Sequence, residues 1–137
     1  MICTGSFLRV IDNSGVKQVK CIKLFGGFKQ RRAFIGDLLL VAVKKIRIYY
    51  IKDHPKAPKD KRKKTTVNKG DILFGLVVHT KLKSPGSSFF TIKFFNASVV
   101  LLNLDKELMG TRVFGPLPKF FRATRYMRVL TLSTGRC

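Results

Sequence analysis

Apolar and polar positions alternate through the first half of the chain. Phe7-Leu8-Arg9-Val10-Ile11 reads as a short strand. Asp12-Asn13-Ser14-Gly15 follows as a turn cluster, supplying an Asx side chain and a glycine that tolerates positive φ. Val16 to Phe25 then places Val19, Cys21 and Phe25 on one parity and several lysines on the other, the alternation of a half-buried strand. On a regular strand Lys20 would oppose Lys17 and Lys23. Gly26-Gly27 breaks the run, Phe28 to Arg32 is a basic loop, and Gly36-Asp37 marks another turn.

Leu38 to Tyr50 is a long apolar strand punctuated by Lys44, Lys45 and Arg47. Residues 52–66 change character, rich in Lys and Pro and poor in apolar residues, and read as an exposed basic loop inserted into a single domain spanning 1–137. Order resumes with the turn at Lys69-Gly70-Asp71 and the strand Ile72 to Thr80. Ser84-Pro85-Gly86-Ser87 is a hairpin-turn candidate. Ser88 to Phe95 and Val99 to Leu102 are further short strands, the latter the last before the C-terminal region. Pro118 suits a first helical turn. Lys119 to Met127 fits a short amphipathic helix, after which Arg128 to Ser133 returns to extended chain. Many short strands with Gly-rich turns predict a mainly β fold, a small barrel.

Charge changes this picture most. The chain carries 28 Lys+Arg against 7 Asp+Glu, a formal charge of +21. Such an excess repels itself, and a polyanion relieves the repulsion by releasing its own counterions. A hydrophobic fraction of 45% excludes a merely disordered basic tail. No stretch is long and apolar enough to span a bilayer, and the charge is spread over loops and strands rather than clustered on one amphipathic helix, which argues against a membrane partner. The N-terminus carries no evident sorting signal, so the expectation is a protein made where it works or one whose presequence has been removed.

Catalytic chemistry finds little support. Asp12, Asp37 and Asp71 sit in turn contexts, where shaping the turn is the simpler duty. His54 lies in the basic loop and His79 near a strand end, both expected to face solvent or phosphate rather than a metal. Cys3, Cys21 and Cys137 are odd in number and make no CxxC or Cys/His set. Cys21 reads as a small buried apolar residue in a reducing compartment. Neither Gly26-Gly27 nor Gly110 to Gly115 has the Lys-Ser/Thr ending of a phosphate loop. No enzyme, cofactor or metal is expected.

The basic residues point instead to RNA, whose phosphates need matching cations on a folded frame. The Lys29-Gln30-Arg31-Arg32 loop is dense enough to enter a groove of folded RNA, and Lys44, Lys45 and Arg47 make a second patch. Lys56, Lys59, Lys61, Arg62, Lys63 and Lys64 form a candidate electrostatic clamp in the inserted loop. The 12 Phe are expected mostly in the core, with Phe28 and Phe120 the more open candidates for stacking on bases.

Several motifs then resemble one family, in order along nearly the whole chain. They are residues 8–27, from Leu8 to Gly27, then Ile35-Gly36-Asp37, Val43-Lys44-Lys45, Lys69-Gly70-Asp71, Val77-Val78-His79-Thr80, Asn96-Ala97 and, most specific, Gly110-Thr111-Arg112-Val113-Phe114-Gly115-Pro116. Together they resemble the universal large-subunit ribosomal protein L-fourteen family. The resemblance implies a five-stranded β-barrel, a projecting β-ribbon and short C-terminal helices. It also implies a place on the intersubunit face, binding to large-subunit ribosomal RNA, strand pairing with a neighbouring ribosomal protein, and a bridge to small-subunit ribosomal RNA. The C-terminal region is similar to the surface that ribosome silencing and anti-association factors occupy.

By position, the resemblance makes Lys17, Lys20, Lys23, Arg31 and Arg32 RNA-facing. It matches Lys44 and Lys45 to the basic end of the long strand, and Arg112 and Arg122 to basic positions near the C-terminal helices. The chain departs from the pattern in a longer segment from Ile48 to Thr66, in a hairpin around Lys81 to Ser88 without paired arginines, in Lys119-Phe120-Phe121-Arg122, and in His79 where Arg is usual. Phe and Lys enrichment without Trp, together with the added loop, resembles a mitochondrial member encoded in an AT-rich genome, ahead of a plastid or bacterial one. The competing expectation is a free single-stranded nucleic-acid-binding barrel, which would want exposed aromatics on one sheet face.

Overall fold

In a computed structural model, the described residues are 2–26, 31–47, 67–81, 84–85 and 91–137. The candidates Phe28, Lys29, His54 and the loop at 52–66 with Lys61, Arg62, Lys63 and Lys64 lie outside them.

The alternating segments become the strands β1 (Phe7–Val10), β2 (Val16–Phe25), β3 (Leu38–Ile46) and β4 (Ile72–His79). Two-residue pieces β5 (Ser84–Pro85) and β6 (Thr91–Ile92) pair with each other, so residues 84–85 are strand where a turn was expected. β7 (Ser98–Leu102) is buried at every position. Strands β1-β2-β3-β4-β7 form a closed barrel. Closure comes from a parallel pairing, Arg9 against Ser98 and Val10 against Val99, between antiparallel neighbours on either side.

Bulges in β2 correct the expected parity of its lysines. The register against β3 shifts between Val16 and Gln18 and between Cys21 and Lys23, leaving Lys17 and Ile22 as the extra residues of β2. Each bulge inserts a residue and swings the following side chains to the other face. The buried set is therefore Val16, Val19, Cys21 and Leu24, and Lys17, Lys20 and Lys23 all lie outside it. The same irregularity acts on β3. Gln18 opposes Lys45 while Val19 opposes Val43, which leaves Lys44 as the extra residue and exposes both lysines.

Two apolar cores result. One fills the barrel with Leu8, Val10, Val19, Leu39, Val41, Val43, Val77, Val99 and Leu101. At Gly75 in β4 an added Cβ would lie 3.3 Å from Val41 Cγ1, so a side chain here would press Val41 aside by a few tenths of an ångström. The second core lies on the outside of β4 and β7, where Leu76, Val78, Val100 and Leu102 meet Val113, Leu117, Phe121, Val129 and Leu130 of the C-terminal region.

That region differs from expectation. β8 (Val113–Leu117) pairs in parallel with β9 (Ser133–Arg136), with a 3-10 helix (Lys119–Ala123) and a one-turn helix α1 (Met127–Thr131) between them. Helix thus replaces extended chain at 128–131, because Val129 and Leu130 must both turn inward onto the second core. The phenylalanines also depart from expectation. Among those described, Phe121 alone is buried, while Phe7, Phe25, Phe34, Phe95, Phe114 and Phe120 are exposed. The barrel interior is filled by Val and Leu, and Phe7 and Phe25 fall on outward positions of their strands.

Candidate nucleic-acid interface

A groove of about 790 Å³ crosses β1, β2 and β3, lined by Arg9, Lys17, Gln18, Lys45, Arg47 and Lys81 with Phe7, Leu8, Val10, Ile46, Asn96 and Ala97. Its cations come from every wall, and its lining holds no carboxylate. Register builds it: Arg9 pairs with Gln18, and Gln18 pairs with Lys45, so the three lie in one row across adjacent strands. Lys17, Lys45 and Arg47 were legible as candidates. Arg9 and Lys81 were missed, because nothing local to β1 or to the end of β4 shows that the barrel brings them beside β3.

Arg47 is partly committed to structure. Its guanidinium donates to the Asp12 carbonyl at 3.5 Å and lies 5.9 Å from the Phe114 ring centre. Lys20 and Lys23 sit on the adjoining outer face, 5.8 Å from the ring of Phe7 and 5.9 Å from that of Phe25 respectively. Ammonium groups over aromatic faces are held loosely, at about 0.5–1 kcal/mol in exposed settings, and stay available to phosphate. Arg31 and Arg32 are exposed on the approach to the bridge between Ile2 and Ala33.

A second basic surface is C-terminal. Arg112, Lys119, Arg122, Arg125, Arg128 and Arg136 are all exposed, and the sequence from 108 to 137 contains no Asp or Glu. The predicted Arg112 and Arg122 are here, joined by four cations that were not singled out. Arg112 is placed by its backbone: its N–H donates to Asn13 Oδ1 at 3.1 Å, and its carbonyl accepts the Asn13 N–H at 3.2 Å.

The acids do local work. Asp37 accepts the Phe34 N–H at 2.8 Å, and Asp71 accepts the Asn68 N–H at 2.7 Å. Asp12 is fully buried and accepts the backbone N–H groups of Ser14 and Leu101 and the Ser14 hydroxyl. Burial pushes its carboxyl pKa up against the lowering effect of these bonds. Asp105 and Glu107 are exposed in the turn after β7.

His79 is not the phosphate-facing residue expected. It is buried, stacks on Phe94 with ring centres 3.9 Å apart, and donates from Nε2 to the Pro116 carbonyl at 2.8 Å. Burial lowers its pKa, partly offset by that bond, so the ring ties β4 to β8 in its neutral form. Cys21 lies within the barrel core, and burial raises its thiol pKa, as expected of an inert packing residue. Among the described residues no three His, Cys, Asp or Glu side chains gather as a metal set.

The family model for ribosomal protein L14p/L23e matches residues 1–136. The chain belongs to the ribosomal protein L14p/L23e family. Members of L14p/L23e are structural and non-catalytic, and associate with ribosomal RNA and ribosomal proteins. The closed five-stranded barrel with short C-terminal helical elements is the framework on which this member carries its two cationic surfaces.

Proposed function

We propose that the chain is a structural constituent of the large ribosomal subunit, binding large-subunit ribosomal RNA near the intersubunit face. The observation that carries this reading is the carboxylate-free groove, in which Arg9, Lys17, Lys45, Arg47 and Lys81 converge on a rigid barrel. Cations fixed in position neutralise phosphates without the cost of ordering flexible chain, and the resulting affinity falls with salt.

The exposed C-terminal cations are the surface assigned to small-subunit RNA at a bridge, and to a silencing or anti-association factor competing for it. Neighbouring large-subunit proteins are the remaining partners. The basic loop at 52–66 is assigned to RNA as an electrostatic clamp. The composition, rich in Phe and Lys and without Trp, supports a mitochondrial ribosome as the site of action.

A second reading draws on Phe7 and Phe25, exposed on the outer sheet face beside Lys20 and Lys23, as a platform for free single strands. Gradient fractionation separates the two. Co-sedimentation with large subunits after a high-salt wash is the expected result, and recovery only in the soluble fraction would overturn the ribosomal assignment.

A further inference from the structure

We propose that the groove across β1, β2 and β3 receives an unpaired, splayed-out nucleotide of the bound ribosomal RNA. Arg9, Lys45 and Lys81 hold its flanking phosphates, and Gln18 meets its base edge. The inference rests on the RNA-binding reading above and adds which form of RNA this site takes.

The groove is not a uniform cationic surface. In the row Arg9–Gln18–Lys45 the ends are exposed cations and the middle is a half-buried amide. Neighbouring strands lie about 4.8 Å apart, so the two cationic backbones are separated by roughly 10 Å with the amide between them. An amide offers both a donor and an acceptor, the pattern that pairs with a base edge and that a phosphate cannot use in full.

The walls between the cations are apolar. Phe7 is exposed on the same face of β1 as Arg9, and Ile46 and Ala97 are half-buried in the same lining, while the Leu8 and Val10 side chains turn into the barrel. A duplex backbone presents phosphates and riboses and gains little from such a surface. An unstacked base presents a flat apolar face with a polar edge, and single-stranded positions are where proteins read RNA bases. A volume of about 790 Å³ falls within the roughly 300–1,000 Å³ of sites that enclose small organic groups. Asn96 adds a second amide at the groove edge.

Binding of the full chain to a fluorescent single-stranded oligoadenylate and to a fluorescent blunt RNA duplex tests this. Arg9→Ala and Lys45→Ala should each weaken the single strand by about tenfold, the loss of one charge-assisted contact, and weaken the duplex much less. Gln18→Ala should weaken the single strand severalfold with an unchanged salt slope, since an amide releases no counterion. Gln18→Glu should weaken it further, by placing a carboxylate between the phosphates. Arg122→Ala, on the C-terminal surface, should leave the difference between the two probes unchanged. Equal losses on both probes, or none, would overturn the proposal. So would displacement by adenosine monophosphate as effectively as by the oligonucleotide, which would mark a free-nucleotide site. Failure of the unsubstituted chain to bind any ribosomal RNA fragment strikes the functional reading itself. Retained fragment binding that ignores Arg9→Ala and Gln18→Ala strikes the groove alone.

Discussion

Asp12 Oδ2 accepts the backbone N–H of Leu101 at 2.8 Å, joining the turn after β1 to the last strand of the barrel. The same turn holds the C-terminal region, through Asn13 Oδ1, which accepts the N–H groups of Thr111 and Arg112. Replacing Asp12 by Ala strands the buried Leu101 N–H, a loss of about 1–3 kcal/mol, and also releases the Ser14 N–H and hydroxyl. Chemical denaturation should show a lower midpoint for Asp12→Ala. A midpoint equal to that of the unsubstituted chain would remove Asp12 from the account of barrel closure.

Gly110 packs against that turn. An added Cβ would come within 2.9 Å of both Asn13 Oδ1 and Asp12 Cβ, atoms held in place by the bonds just described. Gly110→Ala should therefore cost about 1–3 kcal/mol by overpacking. Thermal unfolding reads the loss, and a melting temperature unchanged by the substitution would show that the turn yields freely.

His79 gives acid sensitivity of known sign. Its pKa is lowered in the folded state, first by burial, so its contribution to stability is complete above the ordinary histidine range. That contribution is lost as pH falls through the lowered value, when the ring must charge beside Phe94 and against the barrel. His79→Phe should be less stable than the unsubstituted chain at neutral pH, because the Pro116 carbonyl loses its donor. It should also lose less stability on acidification. Stability–pH curves of identical shape would contradict this assignment.

The C-terminal cations should act additively and without regard to RNA form. Substituting Arg122, Arg125 and Arg128 together by Ala should weaken single-stranded and duplex RNA alike. The salt slope should fall by about 0.7–0.9 for each phosphate contact removed. A slope that stays constant would assign this surface to a protein partner.

How much of this the sequence carried depends on the element. Strands β1 to β4 were legible because a two-residue period survives wherever one face is buried. The facing of the β2 lysines was not, because a bulge leaves no mark in composition while reversing the parity that follows it. β8 and β9 escaped for another reason. Val113-Phe114-Gly115-Pro116-Leu117 and Ser133-Thr134-Gly135-Arg136 contain the residues that usually end strands, and are held extended by each other and by the second core. The RNA-facing candidates on β2 and β3 could be found by eye as cations in a strand pattern. Arg9 could not, since its neighbours in the groove are supplied by register rather than by sequence.

The parallel seam between β1 and β7 also sets a timetable. During synthesis the first strand emerges early, but the strand that closes against it ends at Leu102. Until then Asp12 has no Leu101 to bind, and the sheet that carries Arg9, Gln18 and Lys45 has β1 as an unpaired edge. Contacts this distant in sequence form slowly, because a long loop must close before they are rewarded. The nascent chain therefore carries the cations of β1, β2 and β3 on an open sheet before the barrel closes. The closed barrel, with the turn after β1 tied to its last strand, arises only once the chain has been made through Leu102.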